Sequence, residues 1–191
     1  MTFILIFISA VFVNNIVLSQ FLGICPFLSV SKRIDTAIGM TGAVAFIMTV
    51  ATILTYIFQK TVLVPFHLQF LQTISFIFII ASLVQLVDRI LKRVSPALYQ
   101  TLGVYLPLIT TNCVILGVAL LVVRKDFNLL QSVVFAISTS VGFGLALILF
   151  AGIRDQLSLV KLPKSIEGIP AALITAGLLA MAFMGFAGLV K

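Results

Sequence analysis

Long apolar runs separated by short polar connections occupy nearly the whole chain. A membrane-spanning helix needs about 20 mostly apolar residues, because a rise of about 1.5 Å per residue must cross about 30 Å of hydrocarbon. Six segments meet this requirement, and we predict spans at Phe3–Leu22, Thr36–Phe58, Phe70–Val87, Leu98–Val123, Leu129–Ile153 and Pro170–Val190. The pattern therefore predicts an all-α membrane protein with six transmembrane helices, in which residues 1–191 form a single integral-membrane domain.

Two of the six predicted spans contain polar residues and proline at membrane depth. The first carries Asn14 and Asn15 and is followed by Cys25-Pro26, and the fourth contains the stretch from Pro107 to Cys113. Non-helical backbone inside a membrane persists only where protein or a cavity satisfies its amides and carbonyls. We therefore expect the first and fourth helices to be interrupted and to face inward. The alternative is that proline and asparagine only kink ordinary packed helices.

The positions of these spans, first and fourth of six, suggest two three-helix halves at approximately 1–95 and 96–191. An odd number of spans per half makes the two repeats inverted relative to each other. One register pairs residues 15–18 with 112–115, another pairs 22–24 with 102–104, and the pattern does not choose between them. Glycines at Gly39/Gly42 and Gly142/Gly144, and the Ala/Gly-rich last span, are expected to permit close helix packing.

The composition excludes a soluble protein. Hydrophobic residues make up 62% of the chain and charged residues 9%, whereas soluble domains are about 45–50% apolar and about 25% charged. The longest polar connection, 154–168, is too short to form a nucleotide- or flavin-binding domain. We therefore expect membrane lipid and other membrane subunits as neighbours, and any such domain on a partner.

The net charge of +7 is unequally divided between the two sides of the membrane. By the positive-inside rule the odd-numbered connections are cytoplasmic, so both termini lie outside the cytoplasm. Short scattered clusters do not indicate nucleic-acid binding. The odd-numbered connections contain Lys32, Arg33, Arg89, Lys92, Arg93, Arg154, Lys161 and Lys164, and the opposite face contains Lys60, Arg124, Lys125 and Lys191.

Candidate catalytic groups are few. His67 is the only histidine and lies in a predicted loop, where we expect it to be solvated. The carboxylates all fall at or near the ends of predicted spans, so hydrolysis and a carboxylate proton relay are poorly supported and no catalytic site is predicted. These carboxylates are Asp35, Asp88, Asp126, Asp155 and Glu167.

The two cysteines, Cys25 and Cys113, remain as candidates for chemistry. Cysteines in an apolar chain are usually inert small hydrophobes, but each of these lies next to an expected helix break. That arrangement could bring both thiols to one inward-facing point. Iron compensates the negative charge of buried thiolates and supplies a one-electron carrier. A [2Fe–2S] cluster takes four thiolates, so two ligands here would require two more from another chain.

At these residues the chain resembles, over essentially its full length, the RnfA/NqrE family of membrane subunits of bacterial redox-driven ion pumps. Several separate motifs match in the correct order. Asn14-Asn15 and Cys25-Pro26 resemble the Rnf branch, whereas the quinone-reductase branch tends to have an acid at position 14 and threonine after the first cysteine. The matching stretches are 13–15, 21–27, 29–32, 106–113, 151–154 and 173–178.

The resemblance implies six spans in inverted repeats, a bacterial cytoplasmic (inner) membrane location, and a homologous RnfE-like partner subunit of opposite orientation. It implies a [2Fe–2S] cluster shared between the two subunits, with Cys25 and Cys113 as this chain's iron ligands. Flavin, further Fe–S, ferredoxin and NAD⁺ sites would lie on other Rnf subunits. The expected activity is ferredoxin:NAD⁺ oxidoreduction coupled to Na⁺ or H⁺ transport, a property of the complex.

Five polar residues near the expected breaks have two possible roles. They could donate hydrogen bonds to the cluster sulfurs or line an ion path, or they could only satisfy the backbone of broken helices. They are Asn14, Asn15, Thr110, Thr111 and Asn112. The alternatives for the whole chain are a subunit of the Na⁺-translocating NADH:quinone reductase branch, a non-redox secondary transporter, or a purely structural membrane subunit.

Overall fold

The computed structural model describes residues 2–31, 34–65, 69–94, 106–159 and 168–187. Within these ranges all regular structure is helical. Short π-helical turns, Ser9–Val13 and Gln59–Leu63, continue the first and third helices, and a 3₁₀ turn, Gln69–Leu71, precedes the fourth. The α-helices are α1 Thr2–Ile8, α2 Ile24–Val30, α3 Ile34–Phe58, α4 Gln72–Val94, α5 Leu106–Thr110, α6 Cys113–Arg124, α7 Leu129–Leu159 and α8 Ile169–Ala187.

Helices α3 and α7 form the centre of the fold and share its most extensive helix–helix interface. The apolar core includes Met40 and Met48 from α3 and Phe143 and Phe150 from α7, all fully buried. Helix α6 packs on α3, and α1 with its π turn packs on α7. The two interrupted segments therefore lie against the central helix pair.

Four described segments are long and apolar enough to cross a membrane: Thr36–Leu63, Gln72–Ile90, Pro107–Arg124 and Leu129–Leu157. Ile4–Val13 and Ile169–Gly185 are shorter apolar helices. The prediction of an all-helical, multi-pass membrane protein is thus confirmed. The expected interruptions are also present, between α1 and α2 and between α5 and α6. Residues 98–105 of the predicted fourth span, and the alignment of 22–24 with 102–104, lie outside the described residues.

Several predicted boundaries are wrong. The first helix does not continue to Leu22, because its π turn ends at Val13 and the chain then leaves the helical conformation. Conversely, α4 and α7 continue beyond Val87 and Ile153 to Val94 and Leu159. Their polar ends are rich in Leu, Gln, Lys and Arg, which favour helix. The basic residues assigned to loops there lie on helices: Arg89, Lys92, Arg93 and Arg154.

The glycines divide into close-packed and open positions. A Cβ atom at Gly142 would lie 3.1 Å from the Ala10 carbonyl oxygen, and one at Gly144 would overlap Thr41 Cγ2. The expected close packing is confirmed at these two positions. At Gly42 and at Gly177 and Gly185 of α8 an added Cβ would meet no atom of the described chain within 4 Å, so close packing at these positions stays a prediction.

We predict that Gly144→Ala destabilises the protein and that Gly152→Ala does not. Both glycines lie on α7, but a Cβ at Gly152 would meet no atom of a described residue within 4 Å. Overpacking at Gly144 costs about 1–3 kcal/mol, while replacing a helical glycine gains at most about 1 kcal/mol. Thermal unfolding of the purified protein, followed by circular dichroism, should give a lower midpoint only for Gly144→Ala. Equal midpoints for the two variants would contradict the close contact with Thr41.

Candidate functional site

The first helix break begins at Asn14. The Asn14 amide donates to the Ser9 carbonyl oxygen at 2.6 Å, closing the π turn, and its φ of −110° and ψ of 48° leave the helical region. Residues 14–23 then cross to α2 as turns. Because π turns of this kind often occur at functional sites, this segment is a candidate for the functional part of the molecule.

Asn15 satisfies the backbone at this break. Its side chain is buried, and its Nδ2 donates to the carbonyl oxygens of Val11 at 3.1 Å and Gly142 at 2.8 Å. Its Oδ1 accepts the Val17 amide at 3.2 Å. Gly142 permits the approach, since a Cβ there would lie 3.3 Å from Asn15 Nδ2. Asn15 thus fills the backbone-satisfying role anticipated for these polar residues.

Asn14 has a different environment, because its side chain is exposed. Its Nδ2 donates to Ser9 Oγ at 3.1 Å. Asn14 and Ser9 line a cavity of about 470 Å³ between the first break and α7. Gln20, Lys125 and Thr139 also line it. Asn14 is therefore the asparagine of this pair that faces a partly polar space.

The second break lies between α5 and α6. Thr111 is exposed, and its hydroxyl donates to the Pro107 carbonyl oxygen at 3.0 Å. Asn112 is buried, and its Oδ1 accepts the Val114 amide at 3.1 Å, which caps the N-terminus of α6. The Asn112 Nδ2 atom is buried and forms no hydrogen bond with a described residue. Thr110, the last residue of α5, is half-buried.

The two breaks contain the same local turn. In each, an asparagine Oδ1 accepts the amide two residues further along, Val17 for Asn15 and Val114 for Asn112. This is the side-chain turn that asparagine forms when it replaces a backbone hydrogen bond. The correspondence supports the register that aligns residues 15–18 with 112–115.

Gly23 brings the two breaks into contact. Its amide donates to Cys113 Sγ at 2.9 Å. The residue has φ of +86°, a conformation that residues with a side chain disfavour, and a Cβ atom there would overlap Val114 Cγ2. Only glycine therefore fits between the start of α2 and the start of α6.

Cys25 and Cys113 each lie in the first turn of the helix that follows a break. Cys25 is exposed and Cys113 is half-buried, and both are free thiols. Since two residues span at most about 7 Å, the contact at Gly23 keeps the backbone of Cys25 close to the Cys113 sulfur. Among the described residues no group of three or more His, Cys, Asp or Glu side chains converges, so they offer a metal ion at most two such ligands at any one point.

The short helix α2 is fixed to α7 at two further points. The Phe27 ring stacks on the Phe150 ring with centroids 4.2 Å apart. Arg154 Nη1 donates to the Leu28 carbonyl oxygen at 2.8 Å and to Ser31 Oγ at 3.0 Å, at the C-terminal end of α2. A cation at this end also complements the helix dipole. Together with Gly23, these contacts fix the segment that carries Cys25.

The sequence did not identify Gly23 or Arg154 as residues of this site. A glycine two residues before Cys25-Pro26 is a turn signal, but its contact with Cys113 spans 90 positions. From the sequence, Arg154 is a charge that sets the orientation in the membrane and the last residue of the matching stretch 151–154. His67 and Glu167 lie outside the described residues, and Asp126 lies in the turn after α6 with φ of 48°.

We predict that Asn15→Asp strongly destabilises the protein, whereas Asn14→Asp is tolerated. An ionised carboxylate at position 15 could not donate to the Val11 and Gly142 carbonyls and would be buried against them, at a cost of about 3 kcal/mol or more. Asn14 is exposed and forms one hydrogen bond to a hydroxyl. Thermal unfolding of the purified variants should give a much lower midpoint for Asn15→Asp than for Asn14→Asp. A similar fall in the midpoint for both variants would contradict the role assigned to Asn15.

We also predict that Arg154→Met loosens the end of α2. Each of the two charge-assisted hydrogen bonds, to Leu28 and to Ser31, contributes up to about 3 kcal/mol. Because both are lost, amide hydrogen exchange at 28–31 should accelerate by roughly tenfold or more. Arg124→Met is the matched control, because Arg124 is exposed at the end of α6. Unchanged exchange at 28–31, or the same change in the control, would refute the anchoring role.

Comparison with known proteins identifies the family. The family model described as "Rnf-Nqr subunit, membrane protein" matches residues 3–190. The A subunit of the Na⁺-translocating ferredoxin:NAD⁺ oxidoreductase complex of Acetobacterium woodii is 57% identical over 189 residues, covering 99% of this chain and 98% of that protein. The A subunit of the ion-translocating oxidoreductase complex of Syntrophotalea carbinolica is 57% identical over 186 residues, covering 97% and 96%.

A third relative, the A subunit of the ion-translocating oxidoreductase complex of Sodalis glossinidius, is 50% identical over 189 residues, covering 99% of this chain and 98% of its own length. The resemblance drawn from the motifs around Asn14, Cys25 and Cys113 is thereby confirmed. Since the family model and the relatives all match almost end to end, the chain belongs to the Rnf-Nqr family of membrane subunits.

Proposed function

We propose that this chain is a membrane subunit of an ion-translocating ferredoxin:NAD⁺ oxidoreductase and that Cys25 and Cys113 are two of the four thiolate ligands of a [2Fe–2S] cluster. The other two ligands come from a homologous subunit of opposite orientation. The names of the similar proteins support the complex and its Rnf branch. The geometry of the two helix breaks supports the ligand assignment.

The observation that carries the proposal is the hydrogen bond from the Gly23 amide to Cys113 Sγ at 2.9 Å. It links two segments that are distant in sequence and brings the Cys113 sulfur to the residue two positions before Cys25. Backbone amides directed at sulfur are typical of Fe–S sites, where they help to set the reduction potential. A pair of inert cysteines filling apolar space would not require this arrangement.

The donor set fits half of a cluster. Four thiolates hold a [2Fe–2S] cluster, which supplies one-electron transfer when bound. The described residues offer two thiols and no third ligand nearby, so a second chain must complete the set. Exposure of Cys25 favours this, because a partner can reach it. With only two thiols from this chain, the cluster is shared between paired subunits and not enclosed within one chain.

The residues around the thiols have defined tasks in this proposal. Gly23 orients Cys113 Sγ and donates to it. Asn112 caps the first turn of α6 and so fixes the backbone that carries Cys113. Arg154 and the Phe27–Phe150 stack hold the helix that carries Cys25.

Ferredoxin and NAD⁺ would bind on other subunits of the complex, together with its flavins, because the polar connections of this chain are short. Transport of Na⁺ or H⁺ requires two arrangements of the paired subunits, each open to one side of the membrane. The cavity next to Asn14 is a candidate part of the ion path. The two equivalent asparagine turns support the proposed inverted three-helix halves of a six-span bundle.

The proposed location is the bacterial cytoplasmic membrane, with both termini outside the cytoplasm. The relatives named above are bacterial proteins. The basic residues at the C-terminal ends of α4 and α7, including Lys92, Arg93 and Arg154, would then lie on the cytoplasmic side, as the positive-inside rule requires.

The test is to measure iron and the spectrum of the reduced cluster in Cys25→Ser and Cys113→Ser. Each variant is co-expressed with only the paired homologous subunit, so that clusters of other subunits do not contribute. We expect each substitution to abolish about one cluster per pair, with helix content unchanged, because serine is a poor ligand for iron.

Thr111→Ala is the matched control, since Thr111 lies at the same break and is not a proposed ligand. It should retain the cluster. Iron that persists in both cysteine variants would overturn the proposal and favour a structural subunit or a non-redox transporter.

A further inference from the structure

Helix α4 has an exposed face with three zones: it is apolar near the N-terminal end, polar and uncharged in the middle, and cationic near the C-terminal end. Near its N-terminal end, Ile74 and Phe78 are 63% and 73% exposed. Ser82 and Gln85 follow on the same face, and Arg89 and Arg93 end it; all four are exposed. These positions recur at three- and four-residue spacing, so they lie on one side of the helix.

This face has little contact with the rest of the chain. Of the four segments long enough to span a membrane, Gln72–Ile90 has the smallest buried share, 17%. Its polar end borders a groove of about 700 Å³ lined by Ser82, Gln85, Leu86, Arg89, Ile90, Lys92 and Arg93. The helix therefore presents both an apolar surface and a basic groove to its surroundings.

Among the described residues, the two arginines have no compensating acid. Arg89 and Arg93 lie one helical turn apart, where like charges repel each other, and neither forms a salt bridge with a described residue. The position one turn before Arg89 is Gln85 rather than an acid, and Asp88 lies on another side of the helix. An anion placed between the two guanidinium groups would remove this repulsion and accept hydrogen bonds from both.

We propose that this face binds an acidic phospholipid. Its acyl chains lie along Ile74 and Phe78, its glycerol esters lie beside Ser82 and Gln85, and its phosphate is bound by Arg89 and Arg93. The order of apolar, neutral polar and cationic residues along the helix matches the order of these parts in a lipid. Basic grooves at the ends of membrane helices recognise such headgroups. The site is separate from the cysteines and does not depend on the proposed cluster.

The test compares phosphatidylglycerol binding to the delipidated, purified complex with and without the double substitution Arg89→Gln/Arg93→Gln. Native mass spectrometry during a lipid titration gives the apparent affinity of each bound lipid. At about 1 kcal/mol per basic residue, loss of both charges should weaken the tightest bound phosphatidylglycerol by about 30-fold. Phosphatidylcholine, which has no net charge, should bind weakly to both forms.

Two further variants distinguish charge from folding and from a general surface effect. Arg89→Lys/Arg93→Lys keeps both charges and should retain most of the binding. Arg124→Gln/Lys125→Gln removes two exposed charges at the end of α6 and should leave the affinity unchanged.

Equal binding by the wild type and the Gln double variant would overturn the proposal. The proposal would also be overturned if the wild type bound phosphatidylcholine as tightly as phosphatidylglycerol, since the face would then contact lipids without selecting the acidic ones. Competition by inorganic phosphate at concentrations equal to the lipid would show a simple anion site instead. Loss of another subunit from the double variant would show that this face is a protein interface.

Discussion

The structure depends on how backbone amides and carbonyls find hydrogen-bond partners where two helices break within apolar surroundings. Each amide or carbonyl left unpaired there costs several kcal/mol, so a break needs its own set of donors and acceptors. Asn15 supplies two donors and one acceptor at the first break, and Asn112 caps the helix after the second. The segments they stabilise are those that carry Cys25 and Cys113.

This requirement explains the density of contacts around the short helix α2. Seven residues do not form a stable helix alone, so its position is determined by contacts at both ends: Gly23 against α6, and Phe27 and Leu28 against α7. The central pair of α3 and α7 provides the rigid surface on which these contacts form. Loss of the contact at Phe27 or at Leu28 would shift the helix that carries Cys25 without touching its thiol.

Much of this organisation follows from the order of residue types. Runs of about 20 apolar residues predict the helices, and Asn14, Asn15, Pro107 and Asn112 predict where two of them break. The sequence also selects Cys25 and Cys113 as the residues to examine. It does not predict that the first break is ten residues long, because the turns at 14–23 depend on contacts with Gly142 and Val114. Nor does it predict the Gly23–Cys113 contact, which needs the packed positions of both helices.

Arg154 combines two constraints that are usually separate. Its charge contributes to the basic excess near one membrane surface, and its guanidinium group also closes the end of α2 through Leu28 and Ser31. Mutations that redistribute basic residues can in principle invert a membrane protein during evolution. At this position such a change would also release a helix end, so the direction in which this chain is inserted and the shape into which it folds cannot be altered independently.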